Sequence, residues 1–303
     1  MKVIHVLTGR EWRGGEQQAL YLAEGLSKRG IGQIICVQPD SPAHEKALSL
    51  KLPFTEFPCG GELDVGAFFR LRNIIRKERA DIVHAHDGHA VTACALGGWL
   101  AGKVRRVCTR RVDFALKGCW KYSWGMDRVI CISDAVRQVC RAGGVPVDKL
   151  ALVYSGVNPD RFRQNEFDRA QLLKELGLSK RQKIILNVAS LTDHKGQKYL
   201  IEAMSIIART RKDEVLLIAG TGELEGELRT MAQEMAVADR VHFLGFRKDI
   251  GALLDACDVF AMSSHLEGLC TSVLDAMSME RAVVVANAGG LPELVENGKT
   301  GLI

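Results

Sequence analysis

The chain has 303 residues, of which 47% are hydrophobic and 25% are charged. This composition is that of a globular protein and excludes a collagen-like or largely disordered chain. Its length predicts two domains. No apolar segment is long enough to cross a bilayer or to form a signal peptide, which predicts a cytoplasmic location. The nine cysteines have no CxxC spacing, so we expect reduced, buried thiols and neither a disulfide framework nor a metal site.

The net charge of +5 is unevenly distributed. Residues 1–160 contain 23 Lys and Arg against 16 Asp and Glu, whereas the remaining residues contain 18 against 20. The first half therefore favours an anionic partner. From charge alone this partner is a phosphorylated acceptor, an anionic membrane surface or a nucleic acid.

Short apolar segments alternate with helical patterns along the whole chain. Strands are predicted at residues 3–7, 33–37, 82–86, 106–108, 129–132, 150–154, 184–189, 215–219, 241–244, 259–262 and 283–286, and helices at 16–29, 68–79, 197–210 and 224–236 among others. Continuous strands rich in Val and Ile are typical of sheets buried on both faces. Repeated strand–helix–strand units predict parallel sheets with right-handed crossovers, so the fold class is α/β.

The periodic pattern weakens between about residues 158 and 183, where we expect a domain boundary. The prediction is a first doubly wound lobe at 1–162, a linker at 163–182 and a second lobe at 183–303, with the two lobes facing each other across a cleft. Ligands of such sheets bind at the carboxyl ends of the strands, so the cleft should carry the chemistry. Residues 301–303 have the pattern of a strand start, which predicts that the second lobe is truncated in this chain.

The segment 265–277 contains two acids eight residues apart, Glu267 and Asp275, with Gly268 beside the first. A helix is predicted to begin near Leu269, and the unpaired N–H groups and positive dipole end of its first turn suit a diphosphate. Glu267 then precedes the helix and can bind sugar hydroxyls, and Asp275 lies two turns in and can bind a ribose. The alternative is a solvated acid at a helix start with a second acid on the helix surface.

Two further strand-to-helix turns contain residues suited to phosphate. In segment 188–198 a strand leads to Lys195 and Gly196 before a helix, and a lysine there can neutralise the charge of a leaving phosphate. In segment 287–295, Gly289 and Gly290 end a strand and Pro292 lies in the first turn of a helix. The alternatives are an exposed loop lysine and an ordinary strand-to-helix connection.

Together with these motifs, the order of elements in the first half of the chain resembles glycosyltransferase family 4, the retaining enzymes of GT-B fold. The matching elements are the Gly-Gly turn at 14–16, the His-x-His strand end of His84 and His86, the strand, serine and helix at 131–136, and the turn at 154–158 followed by Phe162. The resemblance covers essentially the whole chain. The ordered set of motifs is much more specific than any one of them.

The resemblance implies roles for individual residues. The implied donor-binding residues are Gly15, Ser190, Lys195, Glu267, Gly268, Leu269, Cys270, Thr271 and Asp275; the implied acceptor-binding residues are Gly14, His86, Arg110 and Arg111; and the implied catalytic residues are His86, Lys195 and Glu267. The amides of residues 269–271 and Lys195 would hold the diphosphate. The implied partners are a nucleotide-sugar donor and a glycan, lipid-linked or lipopolysaccharide-type acceptor, with neither a metal nor a cofactor.

Four positions depart from the family pattern. Asp275 replaces the usual Glu, Ser190 stands where many members have an Arg that assists the lysine, Glu280 replaces a Gly, and Asn158 replaces an Asp. Without the arginine the phosphate should be less well stabilised, and Glu280 should strain a turn. These departures and the predicted truncation leave open a catalytically inactive, sugar-nucleotide-binding protein.

The histidines and the basic segments have plainer interpretations too. His84, His86 and His89 cluster after a strand, but no further His or Cys pattern accompanies them, so we expect no metal site. The basic helix at 68–79 can rest on anionic lipid or form a solvated face. The basic and aromatic segment at 103–124 lacks a nucleic-acid motif, so we expect no nucleic-acid partner. Arg110 and Arg111 follow a strand end and suit a phosphorylated or acidic acceptor.

Two enzymatic alternatives also remain open. Gly220, Gly222 and Gly226 follow a strand and open a helix, like a loosened dinucleotide fingerprint of an oxidoreductase. Glu223 and Glu225 would repel a pyrophosphate, so we prefer a structural Gly-x-Gly turn. The fold would equally permit a sugar-nucleotide epimerase or a phosphorylase.

Overall fold

The computed structural model describes residues 1–116, 118–159, 161–162 and 167–303. These residues form two compact units, Met1–Ser155 and Gly156–Ile303. Of the linker predicted at 163–182, residues 163–166 lie outside the described part, and residues 169–175 form a helix of the second unit. Each unit is a parallel sheet with helices packed on it, which confirms the predicted α/β class.

The first unit is built on seven parallel strands within the described residues. They are β1 (Lys2–Leu7), β2 (Gly32–Val37), β3 (Phe54–Glu56), β4 (Ile82–Ala85), β5 (Arg105–Arg110), β6 (Arg128–Cys131) and β7 (Leu150–Leu152). The helices are α1 (Gly14–Ser27), α2 (Pro42–Ser49), α3 (Val65–Glu78), α4 (Gly88–Ala101), α5 (Trp120–Ser123) and α6 (Asp134–Ala142). The strand order is β3-β2-β1-β4-β5-β6-β7. The sequence did not predict β3, because three residues are too few to show a period.

The second unit is built on five parallel strands. They are β8 (Lys183–Val188), β9 (Glu214–Ala219), β10 (Val241–Gly245), β11 (Val259–Met262) and β12 (Ala282–Val285). The helices are α7 (Arg169–Glu175), α8 (Gln197–Ile207), α9 (Glu225–Glu234), α10 (Ile250–Ala256) and α11 (Thr271–Ser278), with 3-10 turns at Asp193–Lys195 and Leu291–Glu293. The strand order is β10-β9-β8-β11-β12. Leu302 forms an isolated parallel bridge with Val284 of β12.

Strand β9 shows why the strands of the second unit are apolar throughout. Val215, Leu217 and Ala219 belong to one buried cluster, and Leu216 and Ile218 belong to another. Successive side chains of a strand point to opposite faces of the sheet. Both faces of β9 are therefore covered, and each fully buried Leu or Ile contributes roughly 1.5–3 kcal/mol to stability.

The strand orders contain one reversal in each sheet, between β1 and β4 in the first and between β8 and β11 in the second. At such a reversal the loops that leave the two neighbouring strands run in opposite directions and open a crevice at the carboxyl ends. The loop after β1 leads to Gly14 and Gly15 at the start of α1, and His86 lies in the loop after β4. The loops after β8 and β11 carry Lys195 and Glu267. The topology thus places the predicted site residues of each unit at its own crevice.

The thiols and the helices bear on two further predictions. All nine cysteines are free, and eight of them are buried. Within the described residues, no helix combines the length and apolar character needed to span a membrane.

Candidate active site

An ion pair occupies the switch point of the second unit. Lys195 Nζ donates to Glu267 Oε2 at 2.6 Å, and the two side chains are only 18% and 12% exposed. Lys195 comes from the loop after β8, and Glu267 comes from the loop after β11. The structure therefore brings together two of the predicted catalytic residues.

Gly196 allows these two loops to touch. Its φ is +64°, and a Cβ added there would lie 2.4 Å from the carbonyl oxygen of Ser263. Any other residue would be strained by both the left-handed backbone and the overlap. Ser263 Oγ also donates to the carbonyl oxygen of Lys195 at 3.1 Å. These contacts fix the backbone from which Lys195 projects.

A third loop supports Glu267. The N–H of Gly290, which follows β12, donates to the carbonyl oxygen of Glu267 at 2.8 Å. Ser264 Oγ lies 3.3 Å from the Glu267 Oε2 atom that the lysine also contacts. The segments 188–198, 265–277 and 287–295, which the sequence singled out separately, thus meet at one end of the sheet.

Helix α11 begins directly after this cluster. It starts at Thr271 with Cys270 as N-cap, and no side chain caps it in the described structure. The predicted start near Leu269 lies two residues before the observed one, because the N-cap Cys270 is in extended backbone and the first helical turn follows it. The first-turn N–H groups of a helix have no intrahelical partner. Desolvation raises the pKa of Cys270 to about 12, so its thiol is neutral.

Asp275 lies in the middle of α11 and is already paired. Arg161 Nη1 donates to Asp275 Oδ2 at 3.0 Å, and the Arg161 guanidinium stacks over the ring of Phe162 at 4.5 Å. Burial raises the pKa of Asp275, and Arg161 opposes that rise. No sequence pattern indicated Arg161, because it lies more than a hundred residues before Asp275 in the chain. A ribose that binds Asp275 would have to share it with this arginine.

Ser190 lies in the loop that follows β8, and the Gly-x-Gly turn after β9 contacts this loop. Ser190 is exposed, and its carbonyl oxygen accepts from Gln197 Nε2 at 2.9 Å. A Cβ at Gly220 would lie 1.9 Å from the carbonyl oxygen of Ala189, and one at Gly222 would lie 2.2 Å from that of Leu191. The two glycines thus let the Gly-x-Gly turn pack against the backbone that leads to Lys195. This favours the structural turn over the dinucleotide fingerprint.

In the first unit, Asp87 joins the loops at the switch point. Its carboxylate accepts from the N–H of Thr8, after β1, at 2.6 Å and from the N–H of Ala90, in α4, at 3.0 Å. The second contact caps α4, and such a cap contributes about 1 kcal/mol. Asp87 therefore holds the residue next to it, His86, close to Thr8, where the loop that leads to α1 begins.

Gly14 and Gly15 are the first two residues of α1. A Cβ added to Gly15 would lie 3.3 Å from Arg111 Cδ, so the arginine side chain covers this helix start. Burial lowers the pKa of Arg111 to about 10, with the carboxylate of Glu16 opposing, so the guanidinium is charged at neutral pH. Arg111 Nη1 reaches Ser155 Oγ at 3.5 Å, and its buried Nε has no partner in the described residues.

Arg110 lies elsewhere, although the sequence grouped it with Arg111. Its guanidinium stacks over the ring of Tyr122 at 5.5 Å, and its Nη1 donates to the Tyr122 hydroxyl at 3.1 Å. Arg110 is the last residue of β5 and Arg111 is the first residue after it, and their side chains leave the backbone towards different neighbours. Arg110 thus packs against α5, and Arg111 lies at the start of α1.

His86 belongs to a buried histidine cluster that the sequence prediction did not include in full. Its Nε2 lies 3.0 Å from His5 Nδ1, and its ring lies 4.1 Å from that of His84. The predicted neighbour His89 is instead exposed on α4. His5 could have been identified from the sequence as a buried polar residue, because it is the one polar residue between Val3 and Leu7 of an otherwise apolar strand.

The histidine cluster is also a candidate set of metal ligands. His5, His84 and His86 have ring nitrogens within 4.8 Å of one another and could hold a metal ion, and no other such group of three occurs in the described residues. The sequence argument against a metal was that no further His or Cys pattern accompanies His84, His86 and His89, and it did not consider His5, which the structure groups with His84 and His86. Burial lowers the pKa of His5 to about 4 and those of His84 and His86 well below the usual range, so all three rings are neutral.

Comparison with known proteins gives two family matches and many relatives. Residues 12–161 match the family model "Glycosyltransferase Family 4", and residues 168–303 match "Glycosyl transferases group 1". An uncharacterized glycosyltransferase of Methanocaldococcus jannaschii is 32% identical over 93% of this chain and 78% of its own length. The GDP-mannose-dependent alpha-(1-6)-phosphatidylinositol monomannoside mannosyltransferase of Mycobacterium tuberculosis is also 32% identical, over 73% of this chain, which spans 56% of that enzyme.

Solved structures of similar fold cover nearly the whole chain. HepE of Anabaena, crystallised with UDP and glucose, has a TM-score of 0.87 at 21% identity and is matched over 100% of this chain and 85% of its own. WaaG, a glycosyltransferase of lipopolysaccharide biosynthesis, has a TM-score of 0.71 at 15% identity, over 97% and 83% of the two chains. At these identities the likeness concerns the fold.

Proposed function

The chain belongs to glycosyltransferase family 4 and has two Rossmann-like units of the GT-B type, and from this membership we propose that it transfers a sugar from a nucleotide-sugar donor to a hydroxyl group. The proposed acceptor is a glycan, a lipid-linked sugar or a lipopolysaccharide-type molecule. The observation that carries the proposal is the convergence of three loops on the Lys195–Glu267 pair at the start of α11.

The donor is assigned to the second unit. The first-turn amides of α11 and Lys195 supply positive charge for a diphosphate, Glu267 is the acceptor for sugar hydroxyls, and Asp275 is the acceptor for a ribose. The relatives' names support this donor class: one is a GDP-mannose-dependent enzyme, and another, from Escherichia coli, is a UDP-Gal-dependent galactosyltransferase 29% identical over 79% of this chain. Thermal shift with a panel of nucleotide sugars identifies the base and the sugar of the donor.

The proposed reaction retains the configuration of the anomeric carbon and uses no metal. The acceptor hydroxyl attacks the face that the diphosphate leaves, so that the C–O bond to the phosphate breaks as the new glycosidic bond forms. A donor phosphate oxygen takes the hydroxyl proton. Lys195 and the dipole of α11 stabilise the negative charge that grows on the leaving diphosphate, which lowers the barrier because this charge is larger in the transition state than in the bound donor.

The acceptor is assigned to the first unit, at its own switch point. Arg111 covers the start of α1 over Gly15 and adds a partly buried cation, which suits an acceptor with a phosphate or carboxylate. His86 is neutral and is assigned to a hydroxyl. Arg110 is held by Tyr122, so we assign the anionic group of the acceptor to Arg111 in preference to Arg110.

We also propose that the first unit contacts an anionic membrane through three exposed tryptophans. Trp99, Trp120 and Trp124 are 59%, 45% and 52% exposed. The ring centroid of Trp124 lies 6.3 Å from that of Trp99 and 6.5 Å from that of Trp120. Exposed Lys103 and Arg105 lie in the same part of the chain. Indole rings prefer the membrane–water interface, and basic residues attract anionic lipid.

Two arginines of the basic helix at 68–79, for which lipid contact was one of two interpretations, are engaged within the protein. Arg70 donates to Asp64 and to the carbonyl oxygen of Pro58, and Arg76 donates to those of Leu100 and Ala101. We therefore assign lipid contact to the surface of the three exposed tryptophans in preference to the basic helix. Vesicles rich in anionic lipid should shift the tryptophan emission to shorter wavelength, and Trp99→Ser with Trp124→Ser should abolish binding. Equal binding of this double variant would contradict the assignment.

Glycosyl transfer is tested with a panel of UDP-, GDP- and ADP-sugars. Thermal shift identifies the donor base that stabilises the chain, and transfer to lipid-linked or glycan acceptors is then followed with that donor. NMR of the product gives the anomeric configuration, and EDTA tests the need for a metal. Inversion of configuration, or loss of activity in EDTA, would contradict the mechanism.

Glu267→Gln is the matched variant for the site, because it keeps the shape of the side chain and removes its charge. We expect turnover to fall about a hundredfold or more. Glu225→Gln removes one charge from the exposed Arg229–Glu225 pair on α9 and serves as control, with turnover unchanged. Interconversion or phosphorolysis of the donor without transfer would favour an epimerase or a phosphorylase.

A further inference from the structure

A continuous chain of hydrogen bonds runs from α1 through the first sheet to His86. Gln33 Nε2, on β2, donates to the carbonyl oxygen of Ala23 in α1. Gln33 Oε1 lies 2.7 Å from His5 Nε2, on β1. His5 Nδ1 then lies 3.0 Å from His86 Nε2, just after β4. All three side chains are buried, at most 6% exposed, so water cannot take the place of a partner.

The direction of every bond in this chain follows from its first member. A backbone carbonyl can only accept, so the Gln33 atom next to Ala23 is the amide nitrogen and the atom facing His5 is the oxygen. That oxygen can only accept, so His5 Nε2 carries a hydrogen. A neutral imidazole has one N–H, so His5 Nδ1 is an acceptor and the His86 Nε2 that faces it must donate.

His86 is thereby left with an unprotonated Nδ1. This atom is buried and has no hydrogen-bond partner in the described structure. Burial lowers the pKa of His86 well below its usual value, and the neighbouring His84, His5 and Arg111 lower it further. A buried acceptor without a donor costs about 1–3 kcal/mol, so such an atom is expected to receive a hydrogen bond in the working state.

We propose that His5 and Gln33 are positioning residues that hold His86 in the Nε2–H tautomer, so that its Nδ1 accepts a hydrogen bond from a hydroxyl group of the bound substrate. The proposal rests on the proposed sugar transfer for its substrate, and the tautomer itself stands on the geometry alone. A neutral acceptor selects a hydroxyl over a phosphate oxygen, because an anionic oxygen has no hydrogen to donate. The adjacent Arg111 then binds the anionic group of the acceptor, and His86 binds a hydroxyl group of the same acceptor.

The test uses the full chain and a matched set of variants. His5→Asn places Oδ1 near the position of His5 Nδ1 and keeps an acceptor for His86, whereas His5→Leu, of similar size, removes it. Thr109→Val is the control, because it removes the buried hydrogen bond between Thr109 Oγ1 and His84 Nε2 and leaves the chain to His86 intact. Tryptophan fluorescence and melting temperature show that each variant is folded.

The first readout is the ¹⁵N NMR spectrum of the imidazole nitrogens, with the signals of His86 identified by their loss in His86→Gln. We expect the Nε2–H tautomer in the unmodified chain, in His5→Asn and in Thr109→Val, and a mixture of tautomers in His5→Leu. A cationic or Nδ1–H His86 at pH 7 in the unmodified chain would overturn the proposal. Stoichiometric zinc that shifts the signals of His5, His84 and His86 together would also overturn it, in favour of a metal site.

The second readout is turnover with the donor identified above. His5→Leu should lower kcat about tenfold or more, His5→Asn should restore most of it, and Thr109→Val should leave it within about twofold. Normal turnover in His5→Leu with a changed tautomer would refute the positioning role while leaving glycosyl transfer standing. Absence of transfer by the unmodified chain would refute the proposed function, and the NMR result would still decide the tautomer.

Discussion

The buried histidines make the first unit sensitive to mild acid. Burial lowers the pKa of His5 from 6.5 to about 4. In the unfolded chain this imidazole takes up a proton as the pH falls below 6.5, whereas the folded chain keeps it neutral. Since the unfolded state then binds more protons, stability is full above pH 6.5 and is lost as the pH falls towards 4.

The size of the effect follows from the two pKa values. At pH 5 the unfolded imidazole is almost fully protonated, and the folded one is about one tenth protonated. Integration from pH 7 to pH 5 gives a loss of about 2 kcal/mol for His5 alone. His84 and His86, whose pKa values are also lowered by burial, act in the same direction. The raised pKa of buried Glu16 acts in the opposite direction.

The assay exploits the position of the tryptophans. All four, at 12, 99, 120 and 124, belong to Met1–Ser155, so urea unfolding followed by tryptophan fluorescence reports this unit. The free energy of unfolding is measured at pH 7, 6 and 5 for the unmodified chain, for His5→Asn and for His89→Asn, whose histidine is exposed on α4. Comparison of variants cancels the contribution of Glu16.

We expect His5→Asn to lose about 2 kcal/mol less than the unmodified chain between pH 7 and pH 5, and His89→Asn to follow the unmodified chain. Carboxylates with lowered pKa values, such as Asp64 and Asp127, titrate below this window. Equal pH dependence of His5→Asn and the unmodified chain would refute the reasoning, because His5 would then not be a buried neutral base.

Three further predictions concern the second unit. Lys195→Ala should lower kcat more than donor affinity, since the leaving charge grows in the transition state, and kinetic constants with a separate donor titration distinguish this from a pure affinity loss. Gly196→Ala, at φ +64° and with a Cβ 2.4 Å from the Ser263 carbonyl, should destabilise the unit by about 1–3 kcal/mol, and an unchanged calorimetric melting temperature would contradict the overlap. Glu280→Gly should stabilise it by about 1 kcal/mol in the same assay, because Glu280 has a φ of +55°; a lower melting temperature would count against strain at this turn.

The sequence was sufficient for the elements whose signal is local. Continuous apolar strands such as β9 predicted two-sided burial. The glycine that the family pattern has in place of Glu280 predicted a strained turn, and Glu280 has a φ of +55°. The three loops around Glu267 were predicted one by one as strand-to-helix turns. Their meeting follows from the order β8-β11-β12, which neighbouring residues do not encode.

The parts that could not be predicted depend on distant pairs. Arg161 meets Asp275, and His5 meets His86, only because the fold brings separate segments together. Arg110 and Arg111 show the converse, since adjacent residues with the same chemistry face different neighbours. A pattern of residue types identifies candidates, and side-chain direction decides which of them share a site.

The distribution of thiols offers a chemical handle on the tryptophan surface. Cys119 directly precedes Trp120 and is the single cysteine of the nine that is not buried. Desolvation raises the pKa of Cys36, Cys257 and Cys270 to about 12, so these thiols react slowly with maleimides. Brief labelling of the unaltered chain with a maleimide dye should therefore modify Cys119 alone. A shift in the emission of this dye on addition of vesicles would report the approach of the tryptophan surface to lipid, and no cysteine would have to be engineered.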